Sequence, residues 1–84
     1  MGLPDWSDRV SRLKPELLPD QVAADMRRQI SGGEMKDRIP SEMDLAEMYQ
    51  VSRITIRRAL ARLSDEGLIV TVLGRGTFVR SQAD

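Results

Sequence analysis

A mainly helical α+β fold carrying one small β-hairpin is predicted by three features of the sequence. Two short amphipathic segments, capped at Ser41 and Ser52, are separated by only Gln50 and Val51. The second segment keeps its arginines on the side opposite its apolar stripe. A β-branched run from Leu68 to Leu73 then meets Gly74-Arg75-Gly76 and returns at Thr77 to Arg80. Two helices joined by so tight a turn and followed by a hairpin make a winged helix-turn-helix.

With 84 residues the chain has room for one domain and one modest core. Hydrophobic residues are 40% of it, enough for a globular fold of marginal stability. There is no cysteine and no histidine. Thiol chemistry, disulfides, histidine general bases and the usual zinc ligands are therefore excluded, and no cofactor or metal is expected. No apolar run approaches a membrane span, and Met1-Gly2-Leu3-Pro4 does not begin a signal peptide. A cytoplasmic protein without a membrane partner is the expectation. The zero net charge hides an asymmetry. Residues 1–50 carry seven basic and ten acidic side chains, residues 51–84 six basic and three acidic. The local patch matters for phosphate binding, yet a neutral module releases few counterions and should bind nonspecific DNA weakly.

Residues 1–17 form an N-terminal extension in which Trp6, Val10, Leu13 and Leu17 recur at helical spacing. That predicts a short amphipathic helix, capped by Asp5 or Ser7 and limited by Pro15. Docking on the domain through Trp6, a dimerisation surface and disorder all stay open for it. The domain proper is assigned to 18–80 and a tail to 81–84. Its first helix runs from Pro19 to Ile30, with Val22, Met26 and Ile30 on one side and Gly32-Gly33 as the stop. Arg27 and Arg28 lie off that stripe, placed for solvent or phosphates. In the next helix, Ser41 with Asp44 is a weak capping box, and Leu45, Met48 and Tyr49 form the buried side.

The third helix is placed at about 52–66. Ser52 is its cap, and Ile56, Ala59, Leu60 and Leu63 share the core side. Ile54, Arg57, Arg58 and Ala61 point away from it, with Arg53, Thr55 and Arg62 on the flanks. No acidic residue falls between Tyr49 and Ser64. Arginine-rich helix faces are commonly just solvated. Ile54 argues against that here, because water has no use for it whereas a thymine methyl has. In the hairpin, two glycines around Arg75 make a narrow cationic tip of the kind that enters a minor groove; by itself it is an ordinary loop with a solvated arginine.

These residues resemble the DNA-binding domain of the GntR family of bacterial transcription regulators. The resemblance rests on Ile39-Pro40-Ser41-Glu42, Leu45-Ala46, Val51-Ser52-Arg53, Ile56-Arg57-Arg58-Ala59-Leu60, Leu63, Glu66-Gly67-Leu68 and Gly74-Arg75-Gly76-Thr77-Phe78-Val79. It implies dimeric binding to a palindromic operator and repression relieved by a small metabolite. It also implies Ser52, Arg53, Thr55 and Arg57 as recognition-helix contacts, and Gly74 with Arg75 as the wing contact. The chain departs from the pattern at Met43, where the family often has arginine, and at Ile54, where threonine is common. The loop 34–38 is about two residues short of the family's, and the family's tyrosine is replaced around Pro19. The larger effector-binding domain of the family is absent from this sequence, so no effector site is visible. The sequence is either an excised domain or a small stand-alone regulator, and it leans to the latter.

Sequence-specific binding of double-stranded DNA, as a repressor and at least a homodimer on DNA, is the resulting expectation. Its site residues are Ser41, Ser52, Arg53, Ile54, Thr55, Arg57, Arg58, Gly74, Arg75 and Gly76, with Ser41 bringing its helix end against a phosphate. The alternative is a protein-interaction module on the same scaffold, which the neutral charge and the Trp6 segment would suit. No nucleophile is assembled with a base, so an enzyme is not expected.

Overall fold

The computed structural model describes residues 2–80, so the tail assigned to 81–84 lies outside the described residues. Three helices are followed by a two-stranded hairpin: α1 (Leu18–Ser31), α2 (Glu42–Tyr49), α3 (Arg53–Asp65), β1 (Ile69–Val72) and β2 (Gly76–Val79). This is the winged helix-turn-helix. Pro19 occupies the second helical position of α1, not the first, and its missing N–H is still one that the helix leaves unpaired. At the other end the N–H groups of Glu34 and Met35 both return to the Gln29 carbonyl, at 2.9 and 3.0 Å.

Both serine caps form. The Ser41 and Ser52 hydroxyls each accept a backbone N–H at 3.1 Å, from Asp44 and Thr55 respectively. Between α2 and α3 the chain turns within two residues, because Gln50 takes the left-handed conformation at φ 57°. The core lies where α1 packs on α3 and α2 crosses it. Val22, Met26, Leu45, Ile56 and Leu63 are completely buried there. Each contributes about 1.5–3 kcal/mol relative to exposure.

β1 and β2 are antiparallel, with Ile69 opposite Val79 and Val72 opposite Gly76. β1 is one residue shorter at each end than the apolar run. The Leu68 N–H closes the end of α3 on the Leu63 carbonyl, and Leu73 enters the turn. The sequence does not announce a third edge, which the loop 37–39 supplies. Ile39 donates to the Thr77 carbonyl at 2.9 Å and Val79 to that of Asp37 at 2.7 Å, so Arg38 faces Phe78.

The expected N-terminal helix is not formed. Residues 2–17 contain only two short 3₁₀ turns, Ser7–Arg9 and Pro15–Leu17, and Leu13 of the supposed stripe is 92% exposed. Neither Asp5 nor Ser7 is the cap residue of the first turn, which is Trp6; Asp5 instead accepts from both the backbone N–H and the hydroxyl of Ser7. The segment spends its polar groups on the domain instead of on itself. The Trp6 N–H donates to the Met48 carbonyl at 2.8 Å, Ser11 and Gln21 bond reciprocally, and Arg12 donates to the carbonyls of Tyr49 and Gln50. Docking through Trp6, one of the three possibilities left open, is what the structure holds. Its ring meets Tyr49 edge-on at 5.2 Å and carries Arg9 on its face.

Beneath this contact lies Asp25, 3% exposed. It accepts from the Tyr49 hydroxyl at 2.7 Å, Gln29 at 2.9 Å, Arg28 at 3.0 Å and Arg9 at 3.5 Å. Burial works to raise the Asp25 carboxyl, but the bonds from Tyr49 and Gln29 and the charges of Arg9 and Arg28 outweigh it. The group stays below the ordinary aspartate range. Burial and the adjoining carboxylate push the Tyr49 phenol up, so it remains a donor.

Candidate nucleic-acid interface

The cap at Ser52 aims α3 so that its apolar stripe faces inward and the remaining positions face out. Ile56, Ala59 and Leu63 are buried, while Arg53, Ile54, Arg57, Arg58 and Ala61 are exposed. Ile54 is 57% exposed at the first turn of the helix. A core-facing role is thereby excluded, and the isoleucine is free to meet an apolar group. Ser52 and Thr55 are also joined to each other, the Ser52 hydroxyl donating to that of Thr55 at 3.0 Å. The hydroxyl proton of Thr55 is left for an external acceptor.

The hairpin stands beside the outward face of α3. A groove of about 390 Å³ separates them, lined by Arg57, Ala61 and Ser64 from α3, by Thr71 and Thr77 from the strands, and by Ser41 and Glu42 at the start of α2. The capped end of α2, the exposed face of α3 and the base of the hairpin therefore border one concave surface. At its tip the hairpin turns through Leu73, Gly74 and Arg75, with the Arg75 N–H donating to the Val72 carbonyl at 2.9 Å. Gly74 has φ +78°, as the third position of a type II turn requires. Gly76, expected in the tip, instead begins β2 opposite Val72. Its φ of +117° and missing Cβ serve a different neighbour, since a Cβ there would lie 2.8 Å from the Arg38 Nε.

Sequence reasoning missed three residues of this surface. Arg38 brings a further cation to the base of the wing. Leu73, read as the end of a strand, is 97% exposed at the tip. Glu42 reaches from the start of α2 to α3, accepting from the Arg57 Nε at 2.9 Å and lying 3.6 Å from the Arg53 Nη2. No periodicity reveals such a pair, because its members sit on different elements. Arg58 and Arg75 have no carboxylate partner among the described residues. On the opposite side, α1 is tied to the end of α3 by Arg27 with Glu66 and by Asp20 with Arg62. Arg27 and Arg28 are thus engaged with carboxylates and not simply solvated.

The described residues hold no cluster of potential metal ligands and no helix long and apolar enough to cross a membrane. Comparison with known proteins gives one consistent answer. The transcriptional repressor NagR of Bacillus subtilis is 38% identical over 72 residues, which are 83% of this chain and 30% of that protein. The histidine utilization repressor of Klebsiella aerogenes is 58% identical over 43 residues, 51% of this chain and 18% of that protein. The chain thus spans less than a third of the length of these curated relatives, which are regulators and not enzymes. Among solved structures, the DNA-binding domain of AraR in complex with operator ORX1 superposes with a TM-score of 0.71 at 38% identity, over 75% of this chain and 78% of that one. The model for bacterial regulatory proteins of the gntR family matches residues 18–79, and the chain belongs to that family.

Proposed function

We propose that this chain binds double-stranded DNA sequence-specifically and serves as the DNA-binding part of a transcriptional repressor. α3 lies in the major groove, the tip formed by Leu73, Gly74 and Arg75 reaches the adjacent minor groove, and the Ser41 end of α2 meets a backbone phosphate. The observation that carries this is the outward face of α3, where Ile54, Arg57 and Arg58 are exposed, with Arg57 lining a groove that it shares with the base of the hairpin and the capped end of α2. The likeness to an operator-bound domain supports it.

Chemistry assigns the roles. Arg57 has the fork that matches guanine O6 and N7, and Ile54 the apolar contact for a thymine methyl. Ser41, Ser52 and Thr55 hold phosphates, as Arg53 and Arg58 also can, and Arg75 sits in the negative potential of the minor groove. The backbone of Gly74 and Gly76 sets the wing's shape. A single domain on one half-site gains little beyond nonspecific affinity, so the operator is a palindrome bound by two copies. Selection from a random duplex library at near-physiological salt tests this. An enriched palindrome with guanine and thymine in each half is expected. No enrichment overturns sequence-specific recognition, and a lone half-site bound as tightly as the full palindrome overturns the dimer.

A further inference from the structure

Among the described residues that line the groove, Glu42 is the one acid, beside the cations Arg38 and Arg57, and the way it holds its arginine partners is unequal. Its Oε1 accepts a hydrogen bond from the Arg57 Nε at 2.9 Å, on the edge of the guanidinium. Among the described residues that is the only hydrogen bond this side chain makes, so Nη1 and Nη2 remain free as a parallel pair of donors. Those two donors match a guanine's O6 and N7. The same oxygen lies 3.6 Å from the Arg53 Nη2 without a hydrogen bond, so charge alone restrains Arg53. Glu42 itself is anchored on the first turn of α2, where the helix end favours a carboxylate, and its side chain is 35% exposed.

We propose that Glu42 is a positioning residue for base recognition, fixing Arg57 by its Nε so that the terminal fork faces a guanine. An arginine ordered only on the DNA loses rotamer freedom at that moment, whereas one already held has lost it beforehand. The carboxylate also acts against the wrong sites. It offsets positive charge where phosphates of a misplaced duplex approach, so nonspecific DNA gains less from the two arginines. One group thereby favours the right complex and disfavours the wrong ones. This rests on α3 being the element that reads the major groove.

The experiment uses the whole chain as Glu42→Ala, Glu42→Gln and Arg57→Ala. Each is measured on the selected duplex, on its single-base variants and on a scrambled duplex, over a range of salt. Glu42→Ala should lose about tenfold in discrimination at a single guanine position per half-site, while binding the scrambled duplex more tightly than the parent does. Glu42→Gln keeps an oxygen acceptor without the charge. It should restore part of that discrimination and share the gain on scrambled DNA. A merely structural role would weaken all duplexes by one factor and leave the base preferences unchanged, and that result overturns the proposal. So does a Glu42→Gln protein that binds scrambled DNA no more tightly than the parent. Arg57→Ala separates the two levels: if it keeps every parental preference, the assignment of Arg57 to a base fails. If it loses one guanine that Glu42→Ala retains, only the role of Glu42 fails.

Discussion

Two carboxylates, Asp25 and Glu42, each gather two arginines among the described residues, and they do so in opposite surroundings. Asp25 is 3% exposed and gathers Tyr49, Gln29, Arg28 and Arg9, tying the N-terminal segment and α1 to α2. Glu42 is partly solvated and gathers Arg57 and Arg53, tying α2 to α3 at the proposed DNA surface. The partners decide what each can do. Removing Asp25 strands a buried phenol and a buried amide, which water cannot reach. Removing Glu42 releases arginines that water solvates readily. Similar ion pairs therefore act on folding in the first case and on recognition in the second.

The largest expected effect follows from the buried site. Asp25→Ala should lose about 2–5 kcal/mol, a large share of a small domain's stability, read as a shift in the urea midpoint. A loss no greater than that of an exposed pair would break the comparison. The pH dependence carries the same signature. The Asp25 carboxyl is lowered on folding, so its contribution is fully present above the ordinary aspartate range and fades as pH falls through that range toward the folded value. In Asp25→Ala that part of the acid slope should vanish. A parent and variant with parallel acid unfolding profiles would show that the cluster does not titrate with folding.

A smaller effect is expected one layer out. Trp6→Ala removes the ring that covers Tyr49 and should cost about 1–3 kcal/mol, less than a fully buried aromatic because Trp6 is only half-buried. Base preference in a site selection should stay that of the parent, since the contacts of Trp6 are with Met48, Tyr49 and Arg9. A changed consensus would show that the N-terminal segment bears on recognition and not only on the stability of α2.

Comparable in size is Gly76→Ala. Its φ of +117° suits only glycine, and the added Cβ would press on Arg38. A loss of about 1–3 kcal/mol in a urea melt is expected. A neutral substitution would mean that the wing relaxes freely at its base.

How far the sequence spoke for itself differs between these regions. The two serine caps, the tight turn at Gln50 and Val51 and the stripe Ile56, Ala59 and Leu63 are local matters, and residue spacing was enough to foresee them; the left-handed conformation of Gln50 that makes the turn was not foreseen. Residues 2–17 misled because apolar spacing alone cannot say whether a segment bonds to itself. Here Trp6, Ser11 and Arg12 bond to α1 and α2, and Leu13 of the apparent stripe is left in water. The same limit hid the best-connected groups. Asp25 and Tyr49 are 24 residues apart, and Glu42 and Arg57 are 15 apart. Each such pair exists only because helices cross, so no window along the chain contains its logic. Arg38 beside Gly76 belongs with them, a strand-like contact that begins in a loop.

The smallest expected effect is also the sharpest test of position against geometry. Glu66 and Arg27 form a two-point ion pair at 2.8 and 2.6 Å, better aligned than the contact between Glu42 and Arg57. The hydrogen bonds from Arg27 hold the Glu66 carboxyl below its ordinary range. Judged by geometry alone, this pair should matter more than that of Glu42. It joins α1 to the far end of α3, away from the groove, and both side chains are well exposed. Solvent screening then leaves it little influence on stability, and its location leaves it none on base choice. Glu66→Ala should shift the urea midpoint by less than any variant above and select the parental binding site. Were it to relax the same guanine position as Glu42→Ala, the proximity of Glu42 to the groove would explain nothing. Loss of any acid near the arginines would then be enough, and recognition would have to be described by the net charge of α3 instead of by the grip on one arginine.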